Sequence, residues 1–304
     1  MSHLSHLPSH ILKSGFVAVA GKPNVGKSTL LNRLVGQKLA ITSPRAQSTR
    51  DRVTGILTSD DTQIVLVDTP GLLEPTVALQ HVMRATALQA LRDADVILYL
   101  VDASERQPES LAELTGMSAP PRAPILLART KADLLTAEQR EELRLRASPA
   151  EVLVSAVTGE GMEELRSRLT SLLPEGPFLY PDDDISTQHL RFFASELIRE
   201  TTLEQLDDEV PHAIACTIEE FREDRSPVYI RAVIYVERES QKRIVIGHGG
   251  ARIREIGRAA RLKIEDLLSS PVFLDLWVKV LPNWRRDQDA LRRLGYTLPE
   301  VPGS

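Results

Sequence analysis

A chain of 304 residues with a single cysteine, Cys216, cannot close an intramolecular disulfide and fits a reducing cytosol. Without a thiol partner, Cys216 reads as a small buried apolar side chain. No apolar run approaches the roughly 18 residues that a membrane-spanning helix requires. The first twelve residues lack the basic start and continuous apolar stretch of a secretory signal. His3, His6 and His10 stand there with nothing nearby to complete a metal site, so residues 1–14 read as a disordered leader. Positive charge is short overall: 37 Lys and Arg against 42 Asp and Glu leave a net charge of −5, which argues against indiscriminate coating of polyanions. Internal repeats and low-complexity stretches are missing too. The remainder, 42% hydrophobic and 26% charged, is that of a soluble globular protein long enough for about two domains.

The most specific pattern present is Gly21-Lys22-Pro23-Asn24-Val25-Gly26-Lys27-Ser28. It fits G-x-x-x-x-G-K-[ST], follows the apolar run Phe16–Ala20, and opens a helical pattern that continues from Thr29 to Val35. A polyphosphate has to be wrapped by backbone N–H groups, so the loop needs glycines that tolerate close approach and unusual φ/ψ. Lys27 supplies a point charge to the outer phosphates and Ser28 a hydroxyl to Mg²⁺, while the helix N-terminus adds its positive dipole end.

Three further motifs turn a nucleotide site into a GTP site. Asp68-Thr69-Pro70-Gly71 closes the run Ile64–Val67; a strand-ending carboxylate there can hold Mg²⁺ through water, and the Gly71 amide can reach the terminal phosphate. Thr130-Lys131-Ala132-Asp133 follows the run Ile125–Ala128. The Asp133 carboxylate can accept hydrogen bonds from N1–H and the exocyclic amine of guanine, a pairing adenine cannot return. Ser155-Ala156 ends the run Val152–Val154, where a backbone N–H can meet the guanine carbonyl. Each is weak alone, but the order and the repeated placement after apolar runs are not.

From Gly15 to Leu173 strand-like runs alternate with amphipathic helical stretches, which predicts an α/β P-loop GTPase domain: a mainly parallel sheet with helices on both faces over 15–174. Leu39–Arg52 is polar, basic and aperiodic; a switch segment would look like this, and so would a plain connection. Prolines and the acidic run Asp182-Asp183-Asp184 predict a solvated linker over 175–186. Residues 187–304 carry a helix, two β-like runs, Gly247-His248-Gly249-Gly250, a long helix to Leu268 and a strand over Val272–Val280. G-x-x-G between two helices is the clamp of KH modules, which grip about four nucleotides of single-stranded nucleic acid. From Arg238 to Lys263 there are eight basic residues, among them Lys242, Arg252, Arg254, Arg258 and Arg261, against only Glu239 and Glu255. Arg254, Arg258 and Arg261 share a helix face that Arg252 does not. Trp277, in an apolar strand, is expected in the core, and Trp284 partly exposed against a terminal helix.

In this order the motifs resemble those of the translation-factor-related GTPases, and the whole span from about Gly15 to Leu298 resembles the Era family of bacterial ribosome-assembly GTPases. The resemblance implies a smaller α+β type II KH domain after the GTPase domain. It places the switch threonine, a Mg²⁺ ligand in the GTP state, on Thr49. It also implies binding of single-stranded RNA at the 3′ end of small-subunit ribosomal RNA, in 30S subunit assembly and rRNA maturation. A cytoplasmic monomer with GTP/GDP and Mg²⁺ follows, with peripheral contact to the inner face of the cell membrane as a further expectation. Two positions bear on chemistry. Leu72 stands where signalling GTPases carry a water-orienting glutamine, so intrinsic hydrolysis should be slow. Asn24 matches the asparagine that the group associates with K⁺ beside the phosphates, although a loop-stabilising hydrogen bond is the plainer role. Thr130 replaces the usual Asn of N-K-x-D, which predicts a somewhat looser base site. An ATP-using nucleotidase is disfavoured by Asp133. A non-catalytic RNA-binding scaffold with a nucleotide-sensing site is disfavoured by Lys27, Ser28, Thr49 and Asp68 together.

Overall fold

The computed structural model describes residues 11–42, 49–117, 119, 121–206 and 213–298. The first part alternates as β1 (Lys13–Gly21), α1 (Lys27–Val35), β2 (Val53–Thr58), β3 (Thr62–Asp68), α2 (Ala78–Asp93), β4 (Val96–Asp102), α3 (Leu111–Thr115), β5 (Ile125–Thr130), α4 (Ala137–Arg146), β6 (Glu151–Leu153) and α5 (Met162–Leu172). The six strands form one sheet in the order β2-β3-β1-β4-β5-β6, parallel except where β2 runs against β3. Near-continuous apolar strands demand cover on both faces. They receive it: Val17, Val19, Leu66 and Leu98 enter one core, while Ala18, Ala20, Ile97 and Tyr99 enter another on the opposite side. Strand order reverses about β1, which opens a crevice at the C-terminal ends of β1, β3, β4 and β5.

The second part runs α6 (Leu190–Glu204), β7 (Ala215–Arg222), β8 (Val228–Val236), α7 (Glu239–Ile246), α8 (Ala251–Leu268), β9 (Val272–Val280) and α9 (Gln288–Arg293). Its sheet has the order β7-β8-β9, with β8 antiparallel to β7 and parallel to β9. Two strands before the helix pair and one after it make the type II KH arrangement. Ile198, Ile230, Ile256 and Ile264 form its core. Among the described residues, no helix is long and apolar enough to cross a membrane.

Several expectations need correction. β1 starts at Lys13 and pairs with Thr62, so the leader ends earlier than expected. Residues 1–10, including His3, His6 and His10, lie outside the described residues. Nor is the linker merely solvated, because buried Gln63 binds it. Its side-chain oxygen accepts the amides of Leu179 and Tyr180 at 2.8 and 2.9 Å, and its Nε2 donates to the Tyr180 carbonyl at 2.9 Å. The acidic run stays exposed, and so do Glu175, Pro177, Leu179, Pro181 and Ile185. Helix α3 was not foreseen, being one short turn whose signal is the Ser110–Glu113 capping box.

The two tryptophans exchange their expected places. Trp277 is 55% exposed, whereas Trp284 is 0% exposed. In β9 Leu274, Leu276, Val278 and Val280 face the helices, so period-2 alternation sends Trp277 outward despite apolar neighbours. Trp284 packs with Leu79, Val82 and Met83 of α2, and its Nε1 donates to the Ala213 carbonyl at 2.8 Å. Cys216 is half-buried against the second core.

Candidate functional site

The loop leaving β1 is bent by positive φ at Gly21, Asn24 and Gly26. A Cβ on Gly21 would stand 2.5 Å from the Leu100 carbonyl oxygen, so this position demands glycine sterically as well as conformationally. Val25 turns its side chain into the core and anchors the loop, leaving backbone rather than side chain to face a ligand. Lys27 Nζ lies along the loop's own carbonyls, donating to Lys22 at 2.8 Å and Gly21 at 3.3 Å. Burial pushes its pKa down to about 8, against the pull of the Asp68 carboxylate.

Ser28, Thr49 and Asp68 converge from α1, the segment before β2, and the end of β3. Ser28 Oγ donates to Asp68 Oδ2 at 2.7 Å and lies 2.8 Å from Thr49 Oγ1, which itself reaches Asp68 Oδ2 at 3.3 Å. Asp68 is fully buried; burial pushes its carboxyl up to about 6, opposed first by Lys27 and then by these hydroxyls. Its Oδ1 is buried without a hydrogen-bond partner. Hard oxygen donors around an orphaned carboxylate oxygen are the donor set that Mg²⁺ takes. Gly71 passes so close to the loop that a Cβ would meet Pro23 at 2.9 Å. Leu72 turns into the core and is 1% exposed, so its side chain does not face the pocket at all.

Lys27, Ser28, Thr49 and Gly71 line one end of a pocket of about 620 Å³, with Asp68 buried behind the hydroxyls; the pocket also takes in Asn24, Thr29 and, at its other end, Lys131, Asp133 and Ala156. Asp133 Oδ1 accepts the Ser155 hydroxyl at 2.5 Å. The Ser155 amide donates to the Glu160 carbonyl at 2.9 Å, and of the pair Ser155-Ala156 it is Ala156 that lines the pocket. Lys131, at φ 60°, holds Asp102 at 2.9 Å beneath the base end. Thr130 does not point at the base. Its hydroxyl, 4% exposed, donates to the Val25 carbonyl at 2.6 Å and ties the base-reading loop to the phosphate loop. Sequence reasoning missed Leu134 and Val157, exposed apolar side chains that flank the base end. Nothing in their local pattern announces them.

A second site lies at the turn between α7 and α8. Gly247, Gly249 and Gly250 all have positive φ, and His248 and Gly249 are exposed. A Cβ on Gly247 would stand 2.7 Å from the Arg252 Cβ and 2.9 Å from its amide nitrogen. Arg252 and Arg254, both expected at RNA, also brace the turn: Arg252 donates to the Ile244 carbonyl at 3.3 Å and the exposed Arg254 to the Gly249 carbonyl at 2.9 Å. Arg258 is exposed and Lys242 half-buried. Arg261 pairs with Glu265 at 3.9 Å, and Lys263 turns away to Glu204 and Glu200. The basic window is therefore partly structural.

Fold and site together define a P-loop GTPase joined to a type II KH domain. A family model for 50S ribosome-binding GTPases matches residues 16–131, and one for KH domains matches residues 209–285. GTPase Era of Carboxydothermus hydrogenoformans is 43% identical over 293 residues, covering 94% of this chain and 98% of its own. That of Halothermothrix orenii is 42% identical, with 93% and 98% covered. A crystal structure of an Aquifex aeolicus Era variant bound to GDP·AlF₄⁻ matches with a TM-score of 0.88 at 40% identity, over 94% of this chain and 100% of that one. Era in complex with MgGDPNP and nucleotides 1506–1542 of 16S ribosomal RNA matches with a TM-score of 0.87 at 39% identity and the same coverage. The chain belongs to the Era GTPase family, and its reaction is the hydrolysis of GTP to GDP and phosphate.

Proposed function

We propose that this chain is a GTP-driven switch that binds the 3′ end of small-subunit ribosomal RNA during 30S assembly and rRNA maturation. The observation carrying this reading is a pocket with Lys27, Ser28 and Thr49 at one end, Asp68 buried behind the two hydroxyls, and Asp133 at the other end, in a chain that also bears the Gly247–Gly250 turn. Residues Gly21 to Thr29 and Gly71 would cradle the phosphates. Ser28, Thr49 and Asp68 would hold Mg²⁺, which neutralises charge between the phosphates when bound. Lys131, Asp133 and Ala156 would form the guanine end, with Ser155 orienting Asp133 and Thr130 tying this loop to the phosphate loop. At the turn, His248 and Gly249 would meet the RNA backbone, Lys242 and Arg258 would add charge, and Arg252 and Arg254 would hold the turn's shape. The setting is the cytoplasm, as a monomer on the 30S subunit, with contact to the inner face of the membrane.

The reading is tested by measuring GTP turnover with and without a 16S 3′-end oligonucleotide. Faster turnover in its presence, together with direct binding, is expected; no binding and unchanged turnover would reject the RNA half. Lys27→Ala should weaken GTP and GDP alike, by about 10–100-fold for loss of a charge-assisted contact, as titration calorimetry would record.

Hydrolysis should be faster in K⁺ than in Na⁺. Asn24 lines the pocket at the phosphate end, where an ion could offset phosphate charge, and Leu72, buried in the core, supplies no water-orienting amide. Loss of K⁺ stimulation in Asn24→Ala with GDP binding kept would support this. Equal turnover in the two salts at matched ionic strength would count against it.

A further inference from the structure

Both ends of the connection between α1 and β2 are fastened to the KH part of the chain. Toward its start, Lys38 Nζ donates to Glu200 Oε2 at 2.6 Å and the Thr42 amide to Glu200 Oε1 at 3.2 Å. Glu200, on α6, is fully buried and also accepts Lys263 of α8 at 3.2 Å. At its end stands Arg50, the residue after Thr49. Its side chain leaves the nucleotide site altogether and enters the other unit, where it is 4% exposed. There its guanidinium donates to the Ile214 carbonyl at 2.5 Å and lies 5.4 Å over the indole of Trp284. Tyr296 stacks on the same indole with ring centroids 6.3 Å apart, and its hydroxyl hydrogen-bonds Arg50.

Burying a guanidinium is costly unless its partners are well placed, and removing one partner leaves that cost uncovered. Here the cost falls on the residue beside a magnesium donor. Adjacent Cα atoms across a trans peptide are about 3.8 Å apart, so Arg50 cannot move by several ångströms without carrying Thr49 with it. With Arg50 seated, Thr49 Oγ1 stands 2.8 Å from Ser28 Oγ.

We propose that Arg50 is a positioning residue for the nucleotide reaction: the KH unit, by holding its guanidinium between Ile214 and Trp284, sets where the Thr49 hydroxyl stands. This rests on reading the pocket as a GTP·Mg²⁺ site. On that reading the Thr49 hydroxyl joins the Mg²⁺ donors beside the γ-phosphate, so displacing it should cost a triphosphate more than a diphosphate. By linkage, seating of Arg50 and binding of the γ-phosphate strengthen each other by one factor.

The test is equilibrium binding of GDP and of a non-hydrolysable GTP analogue, in Mg²⁺, to the full chain. Arg50→Gln should weaken the analogue about tenfold or more and GDP by no more than about twofold, within the usual range of such couplings. Tyr296→Phe deletes one hydroxyl far from the nucleotide and should shift the ratio the same way, by about two- to fivefold. It also decides the matter should Arg50→Gln fail to fold. Arg50→Lys should recover part of the discrimination. Thr49→Ala should leave nothing further for Arg50→Gln to remove, because both act through one hydroxyl. A merely structural arginine would lower the melting temperature and leave the ratio of affinities unchanged; that result, or equal loss of both nucleotides, overturns the proposal. A wild-type chain that binds neither nucleotide would instead refute the pocket reading itself. RNA affinity without nucleotide, expected unchanged in Tyr296→Phe, keeps the two questions apart.

Discussion

Asp133→Asn should convert the pocket from guanine to xanthine nucleotides. Asp133 is the carboxylate at the base end, and Ser155 fixes its orientation by donating to Oδ1 at 2.5 Å. An asparagine there must still offer oxygen to that hydroxyl, so its NH₂ takes the place of Oδ2. Guanine would then present its exocyclic amine to another donor, while xanthine presents a carbonyl. Buried donors and acceptors left unpaired are heavily penalised, so the preference should reverse by on the order of 10³-fold or more. Competition of GTP against xanthosine triphosphate for the purified variant measures it. A variant that still prefers GTP would show that Asp133 does not read the base.

Loss of single-stranded RNA binding, with GTP binding intact, is expected for Gly247→Asp combined with Gly250→Asp. Two effects act together. Carboxylates placed at the turn repel the sugar–phosphate backbone, and a side chain on Gly247 collides with Arg252 at 2.7 Å while both positions hold positive φ. Gly249→Asp separates the two causes, since a Cβ there meets nothing within 4 Å. It should weaken RNA binding by repulsion and the cost of its positive φ, without the collision with Arg252, and therefore less. Neutralising exposed Arg258 should lower the salt dependence by about one unit of slope or less. Fluorescence anisotropy with a labelled oligonucleotide reads all three. A double-aspartate protein that folds and binds RNA like wild type would reduce the turn to a connection and remove the KH reading with it.

Much of this site was legible because its motifs are local. A phosphate loop needs its glycines, lysine and serine at fixed offsets, and α1 follows at Lys27 as the pattern predicts. Apolar runs of the first sheet gave each strand to within a few residues, as with Val96–Asp102, because strands covered on both faces must be continuously apolar. Where the reading failed, the deciding partner lay far away in sequence. Trp284 looked half-exposed because α2, which covers it, lies some two hundred positions earlier. Trp277 looked buried because apolar neighbours obscured a period-2 strand whose outer face is open. Part of the basic window serves the fold, since Lys263 pairs with Glu200 and Glu204 on another helix.

The sequence by itself determined the order of the two folds, the phosphate loop, the strand-ending Asp68 and Asp133, and the glycine turn, because each depends on backbone geometry or on spacing within a few residues. Tertiary structure alone decided the rest. It brought Ser28, Thr49 and Asp68 within hydrogen-bond reach from three elements, gave Thr130 to the phosphate loop rather than to the base, and sent Arg50 from the nucleotide site into the KH unit. A side chain's partner across a fold is set by how layers pack and which buried polar groups remain to be satisfied, and neither is written in the residues on either side of it.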